Sequence, residues 1–316
     1  MYNYILVDVF NQYYRFNKDV KKMVNFIEGL INKLEFNGKV YLLFDPIPDN
    51  EITVQETYVA VNERKNINKD YKSNRVKNVC DINTLHYIYE YFFYKNDDNF
   101  VLVKNNSNEA DDFVKPLIKL LGPNKKYALL STDYDWARYI SNNIEMINHS
   151  FEQPFTASDF VKKFNHEPSE LFVVLYKAIY GDDSDNIKSL TSQFKIKFYK
   201  RFQDVVYNFL ENINNNESPN EFINRLERDR DASIYKDNSA ENEFITMLKI
   251  NDYKTYDVKP YDYFINNIRL IECRCTDDAL KNSIIKTKSN KNYFSYAKKK
   301  LGLDFERKVV LGGLKI

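Results

Sequence analysis

Four short apolar runs in the first part of the chain each lead directly into acidic residues. YILVD and VYLLFD end at Asp8 and Asp45, while FVLV and YALL precede the acids that follow them. Runs of this kind, alternating with segments of helical periodicity, predict βαβ units and a parallel sheet. Ligands bind such a sheet at the carboxyl ends of its strands. The sequence therefore predicts an α/β fold, with a central, mostly parallel sheet flanked by helices and with acids along one edge.

The remaining elements are read from apolar periodicity and from helix-terminating residues. Further strands are expected at residues 100–103, 128–131 and 144–147. Apolar residues at helical spacing predict helices at 18–36, 81–94, 109–121 and 168–180. Pro116 should kink or limit the third of these helices, and Gly181 should end the fourth.

Two regions fall outside the βαβ pattern. Residues 46–80 are polar and basic, and they include Arg64, Lys65, Lys69, Lys72, Arg75 and Lys77. A segment this long is expected to be either disordered or a functional arch or flap. Beyond about residue 186 the strand signals fade and the composition becomes polar, aromatic and helical. We therefore expect an α/β core at 1–185 and a helical region at 186–316.

Composition excludes several classes of protein. The chain has 316 residues, 43% of them hydrophobic, a formal net charge of +1 and three cysteines. This length suffices for a large core, and three cysteines do not make a disulfide framework. No apolar stretch approaches the ~18 residues of a membrane span. We expect a cytoplasmic protein without a membrane partner.

The acidic residues form a set that single-residue explanations do not cover. Any one pair is commonly a helix cap or a partner of the helix dipole. Together, however, so many carboxylates at one sheet edge would repel each other, and hard divalent cations relieve such repulsion. Two cations about 4 Å apart suit the hydrolysis of a phosphodiester. The set comprises Asp8, Asp45, Glu109, Asp111, Asp112, Asp133, Asp135, Asp182 and Asp185.

Spacing predicts how these acids share the site. Asp133 and Asp135 on an extended segment would point to one side as a chelating pair. Glu109 and Asp112 would share a helix face, with Asp111 joining them only if the first turn is irregular.

Six motifs in order make the chain resemble the 5′-nuclease superfamily. They are LVDVFNQYYR, LLFD, YKSNR, EADD, STDYDW and GDDSDN, and the resemblance covers roughly residues 1–190. That superfamily includes flap endonucleases, the 5′-3′ exonuclease domain of bacterial DNA polymerase I and phage ribonuclease H. The resemblance implies a Mg²⁺-dependent nuclease with two or more ions, for which Mn²⁺ would substitute, bound by the nine acids.

The same resemblance implies roles for other residues. Asp8, Asp133, Lys72 and Arg75 would be catalytic, with Lys72 and Arg75 approaching the scissile phosphate from the arch. Candidate nucleic-acid contacts are Arg15, Tyr13, Tyr14, Tyr71, Lys72, Arg75, Lys188, Lys195 and Lys197. Stacking on bases would involve the tyrosines.

The chain departs from the family pattern in two places. Residues 187–195 lack the glycines of the usual helix-hairpin-helix, and position 134 is Tyr where glycine is common. The T-even phage type of ribonuclease H is similar in lacking that glycine pattern, in its length and in its helical C-terminal part.

The expected activity is phosphodiester hydrolysis at 5′ ends, removing RNA primers or flaps during DNA replication. Partners would be DNA and RNA-DNA hybrids with 5′ ends or flaps, and a single-strand binding protein or sliding clamp; the protein would be a monomer, in the host cytoplasm if phage-encoded. One rival is a Mn²⁺-dependent nucleotide-sugar transferase that uses Asp133-Tyr134-Asp135, but it leaves Asp8, Asp45, Glu109 and Asp182 unexplained. Another is a replication scaffold with a degenerate nuclease core, although all nine acids are present.

Overall fold

The computed structural model describes most of the chain, with gaps. The described residues are 2–33, 38–47, 64, 66–71, 79–147, 153–194, 199–228, 239–250, 258–272 and 274–303. Most of the predicted flap, including Lys72 and Arg75, lies outside them, as do Lys195 and Lys197.

A six-stranded sheet forms the centre of the molecule, in the order β5-β4-β1-β2-β3-β6. Its first five strands run parallel, as predicted. The sixth is antiparallel to β3 and pairs Ile284 with Val103. The strands are β1 (Tyr4–Asp8), β2 (Lys39–Leu43), β3 (Phe100–Val103), β4 (Tyr127–Leu130), β5 (Ile144–Ile147) and β6 (Ile284–Ile285).

Helices flank the sheet and make up the C-terminal part. The described residues form α1 (Val9–Arg15), α2 (Val20–Lys33), α3 (Val79–Lys95), α4 (Val114–Leu121), α5 (Ala157–Phe164), α6 (Glu170–Tyr180), α7 (Leu190–Gln193), α8 (Tyr199–Glu211), α9 (Pro219–Arg228), α10 (Ala240–Ile250), α11 (Pro260–Ile271), α12 (Asp277–Ser283) and α13 (Lys291–Lys300), with short 3-10 helices at Ala110–Phe113 and Trp136–Tyr139.

The predicted fold class is confirmed, and two local expectations need refinement. The helix expected at 109–121 is divided into a 3-10 turn followed by α4. Pro116 lies in the first turn of α4, where a missing N–H is tolerated, so it causes no kink. Gly181 ends α6 with φ of 88°, in agreement with its predicted role.

Alternate residues of each strand face two hydrophobic cores, one on either side of the sheet. Leu6, Leu43 and Leu129 belong to one core, whereas Val7, Leu42 and Leu130 belong to the other. C-terminal helices contribute to both, since Phe264 of α11 lies in the first core and Ala297 of α13 in the second. No helix in the described part of the chain is long and apolar enough to cross a membrane.

Candidate metal centre

A cavity of about 1070 Å³ opens at the carboxyl ends of the central strands. Parallel strands place the residues that follow them at this edge, which is why acids distant in sequence meet here. Eight of the nine predicted acids line it: Asp8, Asp45, Glu109, Asp111, Asp133, Asp135, Asp182 and Asp185.

Asp8 and Asp45 form the part of the cavity closest to the sheet. Asp8 ends β1 and caps α1, accepting the N–H of Asn11 at 2.9 Å and the Ser131 hydroxyl at 3.2 Å. Asp45 accepts the N–H of Ala110 at 2.9 Å. Burial and the adjacent Asp45 raise the pKa of Asp8 to about 8. A carboxyl in this state takes up protons unless another cation replaces them.

The EADD motif divides its carboxylates between the cavity and the protein interior. Because Ala110–Phe113 is a 3-10 turn, Glu109 and Asp111 both line the cavity, whereas Asp112 is not among its lining residues. Glu109 and Asp112 lie close together, as their spacing predicts, since both pair with Arg64, and the irregular first turn brings Asp111 to the cavity. Asp112 accepts N–H groups of Glu109 at 2.9 Å and of Arg274 at 3.1 Å, so it positions the turn.

Arg64 is buried, although the sequence groups it with the basic residues of the flap. Its guanidinium pairs with Glu109, and with Asp112 at 3.1 Å. Burial opposes its charge, but the neighbouring carboxylates Asp112 and Glu109 raise the pKa of Arg64 well above its usual value. This arginine therefore connects the middle of the predicted flap to the acidic turn and does not face solvent.

The STDYDW motif leaves β4 through a turn. Asp133 Oδ1 accepts the N–H of Asp135 at 3.0 Å, and Asp135 has helical backbone angles before the second 3-10 helix. The extended geometry expected for this pair is thus incorrect, yet both carboxylates line the cavity. Burial and the adjacent Asp135 raise the pKa of Asp133 to about 6.

A lysine that the sequence analysis did not identify lies among these acids. The Lys177 ammonium is 2.5 Å from Asp135, 2.7 Å from Asp182 and 3.8 Å from Asp133. Burial opposes its charge, but the three carboxylates raise its pKa above the usual value. Arg138 adds a contact to Asp135 at 2.9 Å. A single lysine in the otherwise apolar helix ELFVVLYKAIY was a detectable signal, because a lysine buried there requires acidic partners.

The GDDSDN motif folds into a tight loop after α6. Asp182 and Ile187 bond to each other's backbone in both directions, at 2.7 and 2.9 Å. A Cβ added to Gly181 would lie 2.7 Å from both Ile187 O and Ser189 N, so only glycine fits. The loop brings one oxygen of Asp182 and one of Asp185 within 4.8 Å of one of Asp135.

This donor set fits hard divalent cations. Its acids supply carboxylate oxygens, the ligand type that Mg²⁺ and Mn²⁺ prefer. The raised pKa values of Asp8 and Asp133 arise from burial among like charges, which a bound cation would offset. Asp135, Asp182 and Asp185, whose carboxylate oxygens lie within 4.8 Å of one another, could hold one such ion.

The structure separates the predicted nucleic-acid contacts into groups. Arg15 and Tyr14 line the cavity, and Tyr14 is exposed. Tyr13 and Tyr71 are buried, so neither ring can stack on a base as expected. Tyr71 instead donates to Asp185 at 3.1 Å. Lys188 is exposed but is not among the cavity residues. Lys72, Arg75, Lys195 and Lys197 lie outside the described residues.

Comparisons with known proteins agree with this geometry. The sequence is 28% identical to a 5′-3′ exonuclease of Buchnera aphidicola over 202 residues, which is 60% of this chain and 63% of that protein. The match thus spans less than two thirds of the relative. No protein-family profile matches the sequence.

Solved structures of a bacteriophage T5 enzyme share the fold. The T5 5′-exonuclease with bound zinc superposes with a TM-score of 0.54 at 17% identity, covering 95% of this chain and 98% of the other. The T5 flap endonuclease in a pseudo-enzyme-product complex with DNA and metal ions gives 0.52 at 16% identity, with the same coverage. The chain therefore shares the fold of these structures, in agreement with the motif order.

Proposed function

We propose that this chain, whose motif order and fold are those of the 5′-nuclease superfamily, hydrolyses phosphodiester bonds at 5′ ends in a metal-dependent reaction. The observation that carries the proposal is the convergence of eight predicted acids on one cavity at the sheet edge. A nucleotide-sugar transferase using only Asp133 and Asp135 would leave the other six without a role. A scaffold that only binds nucleic acid would gain nothing from an acidic cavity, which repels phosphate.

The proposed metal ligands are the cavity acids, with Mg²⁺ as the physiological ion and Mn²⁺ as a substitute. When bound, two such ions would supply an activated water and neutralise charge on the phosphate. The protein's part is to hold the ligands in place. Asp112 and Arg64 fix the turn that carries Glu109 and Asp111, and Gly181 permits the loop that carries Asp182 and Asp185.

Cationic side chains would hold the substrate beside the ions. Arg15 donates to Thr132 at 2.6 Å, next to Asp133, which favours a role in binding phosphate close to the reacting centre. Lys72 and Arg75 remain proposed contacts of the arch with the scissile phosphate, where they would stabilise developing charge. Tyr14 is the proposed stacking residue.

The proposed substrates are DNA and RNA-DNA hybrids with 5′ ends or flaps, as in primer removal during replication. Residues 186–316 are proposed to contact the duplex, with Lys188, Lys195 and Lys197 among the phosphate-binding residues. We further propose that the protein is a monomer, that it acts in the cytoplasm, and that it cooperates with a single-strand binding protein or sliding clamp.

Polarity and substrate choice are tested with flapped, nicked and RNA-DNA hybrid duplexes labelled at either the 5′ or the 3′ end. The proposal predicts that Mg²⁺ or Mn²⁺ supports release of short 5′ fragments and that a chelator stops it. Stepwise release of mononucleotides from 3′ ends, or no cleavage with either ion, would refute it. Comparing the RNA-DNA hybrid with the all-DNA duplex then gives the preferred substrate.

A further inference from the structure

Two cationic side chains in the cavity each contact a direct neighbour of Asp133. Arg15 donates its Nε–H to the hydroxyl of Thr132, at 2.6 Å. The ammonium of Lys163 lies 3.6 Å from the centre of the Tyr134 ring. All five residues line the cavity that holds the acids. Lys163 was not among the residues that the sequence suggested for binding nucleic acid.

The ring that carries Lys163 is held by packing. Tyr134 lies nearly perpendicular to Phe155 and Phe164, with ring centres 5.7 and 6.0 Å away, while 40% of its own surface remains exposed. An ammonium this close to a ring face is attracted by the ring's quadrupole. The position of Tyr134 therefore restricts an otherwise flexible lysine to the wall of the cavity.

No ion pair with a carboxylate neutralises Lys163 among the described residues. Lys177 in the same cavity is surrounded by three aspartates, whereas Lys163 makes no ion pair with any carboxylate among the described residues. Lys162, its neighbour in α5, is directed elsewhere. Its ammonium is 3.6 Å from Asp159, and Lys162 does not line the cavity. Both lysines suit the end of a helix, so the helix dipole does not explain why only Lys163 faces the acids.

An exposed cation beside a cluster of acids that bind metal is suited to a phosphate. A substrate backbone carries charge on both sides of the scissile bond, and contacts to those neighbouring phosphates fix its register. Arg15 and Lys163 contact the residues before and after Asp133. A strand bound by both would therefore pass over this proposed metal ligand.

We propose that Lys163, held over the Tyr134 ring, binds a backbone phosphate adjacent to the scissile phosphate and so fixes which linkage lies over Asp133. This proposal rests on the proposed function as a 5′ nuclease. Lys163 is here a binding and positioning residue, and Tyr134 orients it. Glycine is common at position 134 in the family that the chain resembles. The tyrosine found here would then provide the ring that positions Lys163.

Methylphosphonate scanning tests this directly. Each linkage within three nucleotides of the cleavage position in a 5′-flap substrate is made neutral, one at a time. Affinity is measured in chelator, and single-turnover cleavage is measured with Mg²⁺ or Mn²⁺. Wild-type protein should lose ~5-fold or more in affinity at one linkage that Lys163 contacts. In Lys163→Gln, all-phosphate DNA should bind correspondingly more weakly, and neutralising that linkage should cost nothing further.

Lys162→Gln is the matched control, since it removes the same charge one residue away and should keep the wild-type sensitivity at every linkage. Tyr134→Leu should lose part of the effect, and Tyr134→Phe, which keeps the ring face, should restore it. Affinity decreases with salt, and the slope of log affinity against log salt should become less steep by about 0.7–0.9 in Lys163→Gln only. If Lys163→Gln showed the same linkage sensitivity as wild type, the role of Lys163 would be refuted while the proposed function as a 5′ nuclease would stand. Wild-type protein that neither binds nor cleaves 5′-flap DNA would overturn the proposed function as well.

Discussion

The two sides of the cavity differ in how the repulsion between their buried carboxylates is relieved. On the side of Asp8 and Asp45, burial beside a like charge raises the pKa of Asp8 to about 8. On the side of Asp133, Asp135 and Asp182, a built-in ammonium from Lys177 lies among the carboxylates. Although burial works against ionisation there, Lys177 lowers the pKa of Asp182 below its usual value.

The difference indicates how each side would meet a divalent cation. An ion binding at Asp8 must displace protons, so its affinity should increase with pH. An ion near Asp135 and Asp182 instead enters a region already partly neutralised by Lys177. The two sides should therefore respond in opposite directions when their charges are altered.

The largest expected effect comes from removing the built-in cation. Lys177→Met leaves three carboxylates without their shared partner and should lower the free energy of unfolding of metal-free protein by about 3–5 kcal/mol. Denaturant unfolding measures this, and Mg²⁺ or Mn²⁺ should restore part of the loss. Lys119→Met is the control because Lys119 pairs with Asp277 on the surface, where such a pair contributes about 0–1 kcal/mol. Equal losses of stability in Lys177→Met and Lys119→Met would show that Lys177 contributes no more than a surface ion pair.

Loss of a proposed metal ligand should reduce catalysis on either side. Asp133→Ala and Asp8→Ala should each lower the single-turnover rate by ~10²-fold or more while the protein stays folded. Asp278→Ala, which changes an exposed acid, should cleave like wild type. Activity near that of wild type in both cavity variants would contradict the assignment of the site.

The loop that carries Asp182 and Asp185 depends on its glycine. Gly181→Ala places a Cβ against the Ile187 carbonyl and the Ser189 amide at a positive φ, so we expect a loss of roughly 1–3 kcal/mol. The loss should be larger than for Gly29→Ala, where a Cβ meets no atom within 4 Å and alanine favours the helix. A variant as stable as wild type would show that the loop has another conformation available.

One further variant should change stability in the opposite direction. In metal-free protein, Asp8 binds a proton when folded up to about pH 8 but only below about pH 4 when unfolded. Its contribution to stability is therefore complete at acid pH and is lost as the pH rises through about 8. Asp8→Asn keeps a capping side chain and cannot ionise, so it should gain stability over wild type as the pH increases from 5 to 8. A melting-temperature difference that is constant with pH, as expected for Asp278→Asn, would argue against the raised pKa of Asp8.

Apolar runs and helical periodicity in the sequence predicted the strands and the main helices of the core. Strands β1 to β5 follow from short apolar runs, and the acids at their ends follow from the geometry of parallel sheets. The strand β6 was missed because two residues carry no periodicity, and its pairing with β3 joins positions distant in sequence.

Side-chain pairing was harder to predict. Arg64 occurs in a basic run that resembles a solvated face, yet it is buried against Glu109 and Asp112. Asp111 lines the cavity and Asp112 does not, because the chain forms a 3-10 turn here and not the first turn of an α-helix. Lys163 gave no local signal, since only the folded chain brings it onto Tyr134.

The proposed function requires that the acidic cavity bind divalent cations that support cleavage at 5′ ends. Its most direct test is a Mn²⁺ titration of wild type and Asp8→Asn, with ion binding and 5′-flap cleavage followed in the same samples. We expect wild type to bind two or more ions, Asp8→Asn to bind fewer, and cleavage to rise as the Asp8-dependent ion binds. Cleavage that proceeds without bound ions, or equal ion binding by both proteins, would contradict it.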